Sequence, residues 1–150
     1  MSGGFEAMAA ARYDDARGAF ERALKHNPTT AARAALAQAV ERGTAARIAA
    51  ALDSAAAFEK AERWAEAARA YATALGLDRG LTDLKPRAEA ARARATLAAG
   101  IETVLAAPTE PALRDLLARI DRVPQPGPRL RAQRQKLEKA LHALATAPRT

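Results

Sequence analysis

Two histidines, one pair of adjacent aspartates and two serines are the side chains from which a catalytic argument could start in this 150-residue chain. His26 and His142 lie far apart, and neither stands four residues from another ligand type, the spacing that places two donors on one helical face. His26 reads as a cation at a helix C-terminus, where the dipole favours it. Asp14 and Asp15 fall in the first turn of a predicted helix, where carboxylates stabilise the positive end. Ser2 and Ser54 have no obvious base, and Gly-rich phosphate loops are missing. Cysteine is absent, which excludes disulfides, thiolate nucleophiles and Cys-ligated zinc. The residues therefore point to no catalytic set, no metal site and no cofactor, and the expectation is a protein that is not an enzyme.

The informative pattern is a repeat. Tyr13-x-x-Ala16-x-x-x-Phe20-x-x-Ala23-Leu24 recurs as Trp64-x-x-Ala67-x-x-x-Tyr71-x-x-Ala74-Leu75, 51 residues later. Steps of three, four, three and one put these residues on one stripe of an α-helix. A chain that repeats a supersecondary unit buries its core between neighbouring helices and leaves an extended surface for a partner.

Composition supports helices with thin interfaces. Alanine accounts for 44 residues, while Leu, Ile, Val and Phe together number 25, under a fifth of the chain. So few large apolar residues would suit a disordered chain, but alanine is the best helix former and orders no rotamers. The net charge is +7, distributed +2, +1 and +4 over successive thirds, and 19 of the 24 basic residues are arginine. Arginine can grip phosphates and acidic partners. Arginine and alanine together also follow from a high-GC, bacterial coding bias. No run reaches the ~18 apolar residues of a membrane helix, and the start lacks a signal pattern. Both ends read as cut from a longer protein. The compartment is left open between bacterial cytoplasm and periplasm, including a segment of a membrane-tethered protein.

The chain reads as all-α, with seven or eight helices and no hairpin signal. The first covers about 4–11, and the second runs from Asp14 to His26, stopping before Pro28. Thr29 or Thr30 caps a third, to Arg42. Gly43-Thr44 reads as a C-cap beside an N-cap, because the stripe of Leu36 and Val40 lies over 100° from that of Ile48 and Leu52. A fourth helix would then run from Ala45 to Arg63, and a fifth from Trp64 to Leu75, closed by Gly76. Thr82 or Asp83 caps a sixth, to Pro108. Thr109-Glu110-Pro111 is a helix start with a cap, an acid and an early proline. The domain scheme is a single helical-repeat domain over 1–150, with two motifs over 1–78, a degenerate copy over 79–123, a Pro-rich linker at 124–128 and a terminal helix at 129–147.

Residues 13–28, Tyr13-Asp14-Asp15-Ala16-Arg17-Gly18-Ala19-Phe20-Glu21-Arg22-Ala23-Leu24-Lys25-His26-Asn27-Pro28, closely resemble the second helix of a tetratricopeptide repeat, and 64–75 match it equally well. The resemblance implies antiparallel helical hairpins stacked as an α-solenoid, with the leading aromatic packed in each turn. The spacing of 51 exceeds the family's usual ~34, so an extra helix or a fused pair stands between copies. Arg79 stands where the second copy would have proline, and the first helix lacks the Trp-Leu-Gly signature. The resemblance also implies a groove for a protein or peptide, lined by the helix before each motif: Leu52, Ala56, Glu59, Lys60 and Arg63. The positions of the family's carboxylate clamp hold Ala49, Leu52, Asp53 and Ala56, which excludes that mode. The expected function is a non-catalytic scaffold for protein–protein interaction. A second reading is an Arg-rich module for nucleic acid or other acidic surfaces, carried by Arg129, Arg131, Arg134, Lys136 and Lys139. Those five spread around most of a helix and no aromatic follows Tyr71, so nucleic acid ranks below protein. A third is a structural spacer or self-associating segment.

Overall fold

The computed structural model describes residues 2–148, and these are all-helical. Seven helices occur among them: α1 (Ser2–Ala9), α2 (Tyr13–His26), α3 (Thr30–Lys60), α4 (Trp64–Leu77), α5 (Leu84–Ala106), α6 (Glu110–Asp121) and α7 (Pro128–Thr146). The chain divides into two compact units, Met1–Asp53 with Thr73–Gly80, and Ser54–Ala72 with Leu81–Thr150.

In the first unit α1 packs on α2. Ala7, Ala16, Phe20, Ala35 and Ala39 are buried together, with Met8 and Leu36 against them. This core has one large ring, and its close approach depends on Gly4. A Cβ there would meet the Phe20 ring at 2.4 Å. Phe5 covers the same ring edge-on at 5.2 Å between centroids. In the second unit α5, α6 and α7 pack pairwise. Their stripes bury Leu97, Ile101, Leu113, Leu116, Ile120, Leu130 and Leu137. Thr109 caps α6 by accepting from the Ala112 amide at 3.4 Å.

The expected break at Gly43-Thr44 does not occur. α3 runs unbroken from Thr30 to Lys60. Glycine costs only about 1 kcal/mol against alanine inside a helix, too little to stop one flanked by alanines. No glycine among the described residues has positive φ. Gly43 instead meets a packing demand, since a Cβ there would lie 3.2 Å from the Cβ of Tyr13. The shifted stripes are met by leaving Val40 exposed. The other ends move by a few residues. α1 occupies 2–9, α4 passes Gly76 to Leu77, and α7 starts at Pro128. α2 stops at His26, with Asn27 extended before Pro28, and Thr29 caps α3 by accepting from the Ala32 amide at 3.1 Å.

Candidate functional site

The turn that precedes each motif helix is the same structure twice. After α1, the amide of Arg12 donates to the Ala7 carbonyl (2.8 Å) and that of Ala11 to Met8 (3.1 Å). After α3, the amide of Arg63 donates to the Phe58 carbonyl (2.8 Å) and that of Glu62 to Glu59 (3.0 Å). Each pair is the double bond of a Schellman closure, and each needs one left-handed residue. Ala11 takes φ 58° and Glu62 φ 55°. Neither is glycine, so no sequence cue marks these turns.

The aromatic that follows, Tyr13 or Trp64, is half-buried rather than enclosed. Ala16, Phe20, Ala67, Tyr71 and Ala74 are buried, while Ala23, Leu24 and Leu75 are partly so. Each turn borders an open cleft. The first, about 470 Å³, is lined by Ala11, Tyr13 and Asp14 on one side and by Gly43, Ala46 and Ala50 on the other. The second, about 340 Å³, is lined by Glu62, Trp64 and Ala65 and by Ala95, Ala98 and Glu102. The turn positions correspond at the repeat offset, and the facing helix positions correspond one residue further on. Small residues floor both clefts and ions rim them. Arg47 pairs with Asp14 at 2.8 Å, and Arg63 with Glu66 at 2.6 Å.

No family model, curated protein or solved structure matches the chain.

The groove residues expected from the resemblance differ in availability. Leu52 is half-buried, and Ala56 and Lys60 are exposed on α3. Arg63 is exposed beyond the end of α3, with its guanidinium 5.5 Å from the Phe58 ring centroid. Glu59 is engaged within the protein. It accepts a short hydrogen bond from the Tyr71 hydroxyl and pairs with Arg87 at 3.6 Å. Burial foremost, then the hydrogen bond from Tyr71 to Glu59 and the Glu59 charge, push the phenol up to about 12. The charge of Arg87 acts the other way.

The five basic residues of α7 also separate. Arg134 bonds Asp121 at 2.9 Å and pairs with Glu138, and the bond to Asp121 leads in holding its guanidinium above the usual range. Arg131 donates to the Pro126 carbonyl at 3.0 Å. Arg129, Lys136 and Lys139 are exposed. Asp14 and Asp15 occupy the first turn of α2, and both are exposed in ion pairs with Arg47 and Arg12. His26 ends α2 and His142 lies exposed on α7. Among the described residues no three His, Cys, Asp or Glu side chains converge as a metal site, and no helix is long and apolar enough to cross a membrane.

One polar assembly in the second unit had no sequence signal. The Glu62 carboxylate reaches the N-terminus of α7, accepting from the amides of Arg129 (2.8 Å) and Leu130 (3.1 Å). Gly127, at the N-cap, has no side chain to do this, and a Cβ there would lie 2.5 Å from the same carboxylate. Arg94 lies 4.5 Å over the Trp64 ring and donates to the Pro124 carbonyl at 2.8 Å. The partners are 67 and 30 residues apart, so local spacing could not reveal them.

Proposed function

We propose that this chain is a tetratricopeptide-like helical-repeat module, with solenoid stacking of its hairpins, that serves protein–protein interaction and carries no catalysis. The observation that carries the proposal is the double recurrence of one turn and one cleft at corresponding positions. A turn that costs a left-handed non-glycine residue twice is a conserved piece of geometry between the two copies. The clefts it borders are open, floored by alanine and rimmed by charge, which suits the side chains of a peptide or helix. Lys60 and Arg63 remain accessible beside the second copy. The binding surface proposed in the second unit is the cleft at Trp64 with Lys60 and Arg63, without Glu59, and the cleft at Tyr13 is a separate one in the first unit.

A displayed peptide library panned against the protein tests this. Enriched peptides should lose binding when Trp64→Ala is combined with Lys60→Ala and Arg63→Ala, with helicity retained by circular dichroism. Binding that survives this combination and Tyr13→Ala would overturn the surface. For duplex DNA we expect only weak, non-specific binding of ~10⁻⁴–10⁻⁶ M at physiological salt, weakening as salt rises. Tight, salt-resistant DNA binding in an anisotropy titration would overturn the function itself.

A further inference from the structure

We infer that one exposed stripe of α7 is a docking site for an acidic partner helix, and that Arg129, Lys136 and Lys139 are its recognition groups. The inference rests on the protein-interaction reading and adds the chemistry of the partner. Positions 129, 132, 136, 139 and 143 step by three and four and so share one helical stripe. They are Arg129, Ala132, Lys136, Lys139 and Ala143, and all five are exposed. The opposite stripe, through Leu130 and Leu137, is buried against the unit's core. The stripe thus combines three cations with two of the smallest side chains that still favour a helix. Alanine lets a second helix come close, and the cations flank the approach.

Among the described residues the side chains of Arg129, Lys136 and Lys139 form no ion pair, although the Glu62 carboxylate lies at the Arg129 amide. Some arginines elsewhere do meet acids one turn away: Arg17 with Glu21, Arg114 with Glu110, Arg119 with Asp115. The acid on α7, Glu138, lies off the stripe and pairs with Arg134. The positions one turn from Lys136 are Ala132, Gln133, Lys139 and Ala140. Lys136 and Lys139, three apart on the helix, repel each other. The second unit holds sixteen basic against ten acidic side chains, so nearly all of the net charge belongs to it. A partner supplying carboxylates at the same spacing relieves the repulsion and uses the alanines for contact.

Other anionic surfaces fit less well. The stripe has no aromatic for base stacking, and three cations match few phosphates. It has no large apolar residue to enter a bilayer, and it falls short of the four to eight basic residues of a polybasic membrane site. The geometry points to a helix with carboxylates about 10 Å and then about 4.5 Å apart, at 1.5 Å rise per residue.

The test is fluorescence anisotropy on the whole chain with labelled peptides of about 20 residues, enough for a helix of about 30 Å. One peptide carries glutamates on a single stripe at steps of seven and three. Its isomer has the same composition with the glutamates spread around the helix. A DNA duplex and phosphatidylserine vesicles are the other probes. The striped peptide should bind best, and the combined R129Q, K136Q and K139Q variant should weaken it roughly tenfold, as three exposed charges would. R22Q with K25Q on α2 should leave binding unchanged. Circular dichroism confirms that each variant is folded. If no peptide binds, if the isomer binds equally, or if binding survives the triple substitution, the docking stripe is wrong while the repeat module stands. If the duplex or the vesicles bind more tightly than the striped peptide, the protein-partner reading falls with it.

Discussion

Glu62 has two tasks that conflict. Its backbone takes the left-handed conformation of a helix closure, and its side chain caps α7. Glu62→Ala should cost about 1 kcal/mol, the usual loss of a capping group. Gly127→Ala introduces no backbone strain at φ −75° but displaces the same carboxylate. In urea denaturation the double variant should therefore lose little more than either single one. Ala11 takes the corresponding backbone conformation with no side-chain task. Ala11→Gly should raise stability by roughly 0.5–1 kcal/mol, the left-handed penalty relieved less the entropy of glycine. A thermal melt showing destabilisation would contradict the closure geometry. Tyr71 supplies a pH test. Its folded pKa lies above its unfolded value of 10, so its contribution is whole below pH 10 and is lost as pH rises through about 12. Tyr71→Phe should flatten the fall in stability over that window, read by denaturation at successive pH values.

At the scale of elements, α3 is where stripe reasoning and structure part. A break at Gly43-Thr44 would make Ala45 the first residue of a new helix, a position that accepts proline. In the continuous helix Ala45 is interior, and Ala45→Pro should cost about 3 kcal/mol and lower the far-ultraviolet helical signal. An unchanged melt would restore the break. The misreading has a definite cause. Glycine before threonine is the signature of a cap, and a helix that changes neighbours also shifts its buried stripe. Sequence could not show that Gly43 is small because Tyr13 crosses it. The same logic limits the aromatics of the motif. Trp64 is half-buried and covered by Arg94, so its truncation should cost less than a fully enclosed ring would.

For the whole molecule, composition sets the energetic scale. Alanine interfaces bury little area per residue, and the large buried aliphatic residues cluster on α5, α6 and α7, while the two largest buried rings, Tyr71 and Phe20, lie on α4 and α2. The ion pairs among the described residues lie largely at the surface, including Arg12 with Asp15, Arg47 with Asp14 and Arg119 with Asp115. Exposed pairs contribute ~0–1 kcal/mol each and are screened by salt. Raising salt from low to high should therefore change folding stability by no more than about 1–2 kcal/mol, while binding of an acidic helix to α7 should weaken clearly. A large loss of stability with salt would mean that the pairs, and not the apolar stripes, hold the fold.

The all-helical class, the motif helices at 13 and 64, the stop before Pro28 and the Thr109 start were legible because each depends on neighbours within a turn or two. Propensity, period and capping are local physics. The left-handed closures at Ala11 and Glu62 were not legible, since tertiary packing imposed them on residues that do not prefer them. The expected groove was equally beyond sequence at Glu59, whose carboxylate is taken by Tyr71 and Arg87 on other helices. So was the engagement of one α7 cation, because Asp121 claims Arg134 from another element while Arg129, Lys136 and Lys139 stay exposed. Local sequence determined which segments are helices and which faces are apolar. Tertiary structure alone decided which polar side chains are engaged by other elements and which stay exposed, because a hydrogen bond or ion pair depends on distance in space and not along the chain.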